Sequence, residues 1–286
     1  MPTHINEKID LQYNARATVE DATVYIRQYR EFTDEVKRKI PHLDGIFYGD
    51  TQEETLDIYP TNRRTAPVFV FIHGGYWRAL SKSDSGFMAP TFTEAGAMVV
   101  ALNYALAPAS RLDAIVDQVR KALVWVFKNI EKYGGDPEQI YICGSSAGGH
   151  LVGMLLEDGW HEAHRVPLTI VKGAVPISGL FDLRPLVVTH INEWLRHDLA
   201  DATRNSPMLR PGSLQCQLII AFAERDTLEF KRQSNEYAET WRRKGNVVSV
   251  MDIPDTNHFD VLFELTKPDS SLFRAVISTM GLNFRD

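Results

Sequence analysis

The sequence predicts an α/β fold with a mainly parallel central sheet flanked by helices. Three observations carry this. Short, continuously apolar runs rich in β-branched residues recur along the chain, helical stretches separate them, and no Pro/Gly/Ser linker or internal repeat divides the sequence. Only a sheet covered on both faces tolerates strands that are apolar throughout, and alternation with helices makes neighbouring strands parallel.

In chain order, residues 11–41 are polar with scattered aromatics (Tyr13, Tyr25, Tyr29, Phe32) at helical spacing and read as a helical N-terminal extension across the domain surface. The segments 45–47 and 54–59 alternate more and suit an antiparallel edge. Buried strands are expected at 68–72, 97–102, 139–143, 169–177, 217–223 and 247–253. Between them, 111–133 carries Leu112, Ile115, Val116, Val119, Leu123, Val126, Phe127 and Ile130 as an apolar helical stripe. Residues 159–214 exceed what a crossover helix needs and are expected to include a small cap, within one domain spanning 1–286.

Composition narrows the function. The 286 residues hold 31 Lys and Arg against 37 Asp and Glu, a net charge of −6, which supplies no basic field for nucleic acid. No apolar run approaches the ~18 residues of a membrane span, and residues 1–8 lack a secretory apolar core. The expectation is a cytoplasmic protein. Cys143 and Cys216 end apolar runs and are expected to be free thiols. Oligomeric state is left open between monomer and homodimer.

In open α/β sheets ligands sit beyond the carboxyl ends of the strands, so chemistry is sought there. After the 139–143 strand comes Gly144-Ser145-Ser146-Ala147-Gly148, a G-x-S-x-G pattern entering an apolar helix. Its central Ser146 suits a strained strand-to-helix turn that exposes a nucleophilic hydroxyl, and glycines on either side permit the turn. After the 68–72 strand comes His73-Gly74-Gly75-Tyr76-Trp77. Backbone N–H groups there can hold an oxyanion, so Gly74 and Gly75 are expected to form that hole with Ala147; one such donor contributes ~3 to 4 kcal/mol. His73 is expected to brace the loop.

A serine hydroxyl needs a base, and histidine is the natural one. Of nine histidines, only His258 follows a late strand as the order serine, acid, histidine requires. Its orienting carboxylate is expected in the loop after 217–223, at Asp226, with Glu224 the rival. Asp255 and Asp260 read as solvated loop charges. His161 and His164 lack the neighbours of a zinc site and read as surface histidines, so neither metal nor cofactor is expected. Phe181, His190, Trp194, Leu195 and Met208 are candidates for lining a cap, with core packing the plainer role for each.

From about Tyr48 to Leu265 these motifs resemble the α/β-hydrolase superfamily. Within it they are most similar to the kynurenine formamidases (arylformamidases), through His73-Gly74-Gly75-Tyr76-Trp77, Ser146-Ala147-Gly148-Gly149-His150-Leu151, the run from Ser178 to Leu186, and Asn205-Ser206-Pro207. The elbow carries Ser145 and Gly149 where that family often has His and Ala. The resemblance implies cofactor-free hydrolysis of N-formyl-L-kynurenine to L-kynurenine and formate through acylated Ser146. Tyr76 and Trp77 would then line a tight pocket for the formyl group. A short-chain carboxylesterase or an amidase for another small aromatic ester or amide uses the same framework.

Overall fold

A computed structural model describes residues 5–283. Eight strands form one sheet: β1 (Leu43–Phe47), β2 (Thr55–Tyr59), β3 (Ala66–Ile72), β4 (Met98–Leu102), β5 (Gly135–Ser145), β6 (Val171–Ile177), β7 (Gln217–Ala223) and β8 (Val248–Ile253). Their order across the sheet is β1-β2-β4-β3-β5-β6-β7-β8. Strand β2 runs antiparallel to both β1 and β4, and all later pairs are parallel. The sheet is therefore parallel with an antiparallel edge, as the alternation at its start predicts.

Two apolar cores lie on opposite faces, and successive side chains of one strand enter different cores. In β3, Val68, Val70 and Ile72 pack with the helices Leu112–Asn129, Ala147–Leu155 and Leu228–Arg243. Phe69 and Phe71 join the other core with Ala22–Lys39, Ala89–Glu94 and Ser271–Thr279. Phe69 stacks on Phe92 at 4.0 Å between ring centroids.

The N-terminal extension is built of more than one helix. Helices at Glu7–Tyr13 and Ala22–Lys39 are separated by a 3₁₀ turn, Ala15–Thr18. Asp21 caps the second by accepting from the Thr23 N–H at 2.8 Å. Lys37 from this helix and Lys82 flank the buried Asp57 of β2 at 2.7 and 2.5 Å, which ties the extension to the sheet. Within 159–214 the strand expected at 169–177 is β6, so any cap in that range lies outside Val171–Ile177. Beyond β6 the chain makes a run of short helical turns, including Arg184–Val188 and Asn192–Leu195. After His258 the chain forms a 3₁₀ segment, Asp260–Thr266.

Both cysteines are free. Among the described residues no helix is long and apolar enough to cross a membrane; of the N-terminal stretch 1–8, the first four residues lie outside the described part.

Candidate active site

Strand β5 ends at Ser145, and the helix Ala147–Leu155 begins two residues on, so Ser146 must turn the chain alone. It does so at φ 56° and ψ −117°, a conformation that costs a residue with a Cβ on the order of 1–3 kcal/mol. The turn closes against the end of β3: a Cβ on Gly148 would stand 2.0 Å from the Ile72 carbonyl oxygen. Ser146 N–H donates to the Ile177 carbonyl at 2.8 Å, which fixes the bend from the β6 side. Ala147 occupies the first helical position, where the N–H has no partner within the helix.

His258 follows β8 and Asp226 follows β7. His258 Nδ1 lies 2.7 Å from Asp226 Oδ1, both side chains being almost wholly buried. A carboxylate acceptor at Nδ1 places the proton there and leaves Nε2 as the acceptor of a neutral ring. Nε2 is buried and makes no hydrogen bond among the described residues. Asp226 Oδ2 accepts from Ser178 Oγ at 2.5 Å and from the Ala223 N–H at 3.0 Å. Burial pushes the Asp226 carboxyl up, but the adjacent His258 and these hydrogen bonds prevail and hold it below the usual carboxylate value.

Glu224, the rival orienter, is exposed and accepts from the Asp255 N–H at 2.7 Å, away from His258. Asp260 is not a solvated charge: half-buried, it accepts from the Asn257 N–H at 2.6 Å and from Asn257 Nδ2 at 2.5 Å, bracing the residue before His258. Ser178, which sequence reasoning missed as a partner of Asp226, holds φ 48° immediately after β6. Its position after a strand was the available signal.

The loop after β3 crosses the elbow closely. A Cβ on Gly74 would sit 2.7 Å from Ser145 O and 3.3 Å from Ser146 Cβ, so only glycine lets the two backbones approach. Gly75, Tyr76 and Trp77 are all left-handed, with φ of 90°, 49° and 56°. Among the described residues, the N–H groups of Gly74, Gly75 and Tyr76 meet no backbone carbonyl. His73 stacks on Tyr104 at 4.1 Å, and Tyr104 Oη donates to the His73 carbonyl at 2.8 Å. Tyr76 donates through its hydroxyl to the Tyr13 carbonyl. Trp77 corrects the expectation of a substrate contact: it is sealed in the core, edge-on to His150 at 5.0 Å, and does not line the cavity.

A family model described as the alpha/beta hydrolase fold matches residues 69–261. The kynurenine formamidase of Salmo salar is 34% identical over 94% of this chain and 93% of its own length, and that of Danio rerio is 32% identical over 96% of each. The chain belongs to the alpha/beta hydrolases, as a kynurenine-formamidase-like member. A crystal structure described as a putative thioesterase from a Silicibacter species is similar in fold, with a TM-score of 0.81 and 27% identity over 95% of this chain and 99% of that one.

In this hydrolase Gly74, Gly75, Tyr76, Ser146 and His258 open onto one cavity of about 500 Å³, within the range of small-molecule sites. Other walls have no counterpart in the sequence motifs. Asn14, Ala15 and Arg16 of the N-terminal turn line it, as do Tyr29 and Arg78. Of the cap candidates, His190 and Trp194 reach it; Phe181, Leu195 and Met208 do not, and Phe181 stacks instead on Tyr237 at 4.0 Å. Asp10 Oδ1 lies 2.6 Å from His190 Nδ1 and accepts the His190 N–H at 2.7 Å, joining the N-terminal helix to the cap turns. His161 is buried under Trp160 at 3.9 Å rather than on the surface. Among the described residues no cluster of three or more His, Cys, Asp or Glu could hold a metal ion.

Proposed function

We propose that this hydrolase cleaves N-formyl aryl amides, N-formyl-L-kynurenine foremost, to the free arylamine and formate. Ser146, Asp226 and His258 act as nucleophile, orienter and base. The observation that carries the reading is the pair of contacts on one imidazole: Nδ1 on Asp226, and Nε2 unpartnered on the wall that Ser146 shares. The names of the full-length relatives favour the formamide over an ester.

On this reading the steps are these. Ser146 Oγ attacks the formyl carbon while its proton passes to His258 Nε2, and Asp226 stabilises the imidazolium that results. The carbonyl oxygen becomes an oxyanion, taken up by the N–H groups of Gly74, Gly75 and Ala147. The C–N bond then breaks and the proton returns from Nε2 to the departing nitrogen, leaving a formyl ester on Ser146. Water attacks that ester, gives its proton to His258, and releases formate with Ser146 restored. An arylamine leaves more readily than an alkylamine, so the demand on His258 as acid is modest. Tyr76 supplies an aromatic wall, and the turns bearing His190 and Trp194 act as the cap.

The test compares kcat/KM for N-formyl-L-kynurenine and p-nitrophenyl acetate. Preference for the formamide, lost in Ser146→Ala, is expected; a large preference for the ester would make the protein a short-chain carboxylesterase.

A further inference from the structure

The charged groups on the cavity wall are few and of one sign. Arg16 and Arg78 line it, and among the described residues no Asp or Glu does. Its half-exposed histidine, His190, is already matched by Asp10. A cationic recess in a chain of net charge −6 is a local arrangement, not a reflection of overall composition.

Arg78 is held differently from several arginines elsewhere in the chain. Arg184, Arg204 and Arg232 each rest on a carboxylate, at 2.7, 2.9 and 2.7 Å respectively. Arg78 has no carboxylate partner among the described residues; its guanidinium lies 4.2 Å over the ring of Trp194. That indole is itself fixed, since Nε1 donates to the Tyr76 carbonyl at 3.0 Å and His190 packs against it at 5.6 Å. Stacking occupies one face of the guanidinium and leaves its in-plane N–H groups free, the orientation in which arginine grips a carboxylate through two hydrogen bonds. Arg78 also belongs to the loop that begins with Gly74 and Gly75, so one segment carries both the expected oxyanion donors and this guanidinium.

We propose that Arg78, seated on Trp194, receives a carboxylate on the substrate's side chain and so selects acid-bearing aryl formamides over neutral ones. This rests on the formamidase reading and names what that reading leaves open, the group that recognises the end remote from the reaction. Arg78 is exposed, so water screening puts the effect at the lower end for a charged hydrogen bond, about tenfold in kcat/KM.

The experiment measures kcat/KM of the full chain on N-formyl-L-kynurenine and on 2′-formamidoacetophenone, which keeps the aryl formamide and ketone but lacks the amino-acid end. In Arg78→Gln the acid-to-ketone ratio should fall about tenfold, mainly through KM, with Arg78→Lys intermediate. The wild-type ratio should also shrink as ionic strength rises. A ratio unchanged in Arg78→Gln, with wild type active on both compounds, overturns the carboxylate assignment alone. A wild-type chain that cleaves neither compound removes the formamidase reading and this inference together.

Discussion

Ser178 Oγ donates to Asp226 Oδ2 at 2.5 Å, on the oxygen opposite the one that meets His258. The bond pins a carboxylate to which the end of β7 supplies a single further donor, the Ala223 N–H. Ser178→Ala removes it and leaves Oδ2 underpaired in a dry site, so the carboxylate is freer to turn away from His258. We expect kcat to fall about tenfold with KM little changed, as for a residue that positions a catalytic group without touching substrate. Steady-state kinetics on an aryl formamide checks this; an unaltered kcat would assign Ser178 to packing alone.

Asp226→Asn presents an amide where His258 Nδ1 needs an acceptor. If the amide donates, the imidazole is held with its proton on Nε2 and cannot take one from Ser146. A loss in kcat of up to ~10⁴-fold is expected, with the fold intact by circular dichroism. Glu224→Gln should stay within about twofold of wild type, because Glu224 braces Asp255 on the surface. The reverse pattern in parallel assays would move the orienting role to Glu224.

How much of this is legible in the sequence depends on whether the information is local. Strands such as 68–72 and 217–223 are continuous apolar runs with helices after them, so their ends, and the residues just beyond, are readable. Ser146, Asp226 and His258 each stand there. The walls of the cavity are a different matter. Asn14, Arg16 and His190 reach one cavity because Asp10 to His190 and the Asn6 N–H to the Val188 carbonyl join segments some 180 residues apart, and neither segment carries a periodic signal of its own. Trp77 shows a second kind of miss: left-handed φ at three successive residues turns it into the core beside His150, and sequence spacing does not encode that turn. Within 159–214 the apolar run 169–177 marks β6, while the short helical turns after it carry no such pattern.

Gly148 and Gly74 separate folding from chemistry. An added Cβ at Gly148 meets backbone oxygen at 2.0 Å, where nothing flexible can yield. Gly148→Ala should destabilise by about 2 kcal/mol or more, visible as a lower Tm or insoluble expression. At Gly74 the clash is at 2.7 Å with Ser145 O, and lifting the loop relieves it. Gly74→Ala should therefore fold but lose about 10²-fold in kcat as the donor N–H groups move off the oxyanion. Thermal melts and kinetics on both variants distinguish the two effects.

Buried histidines give the protein an acid limit. Burial lowers the His73 pKa to about 4 and that of His150 to about 3, against about 6.5 in the unfolded chain. The unfolded state thus takes up protons as pH drops below 6.5, while the native state refuses them until about 4 and about 3. Stability contributed by the neutral rings is present above pH 6.5 and is lost across that window, with a slope of up to ~1.4 kcal/mol per pH unit for each histidine. Asp226, with its lowered pKa, adds loss only at lower pH, below the unfolded carboxyl value near 3.8. Urea unfolding at pH 7.5, 5.5 and 4.5 should show a steep fall between the first and last. His150→Gln keeps a donor for the Asn205 carbonyl, which accepts from His150 Nε2 at 2.8 Å. It should flatten that fall by about one histidine's share; a slope identical to wild type would mean that His150 is protonated as readily in the folded core as in water.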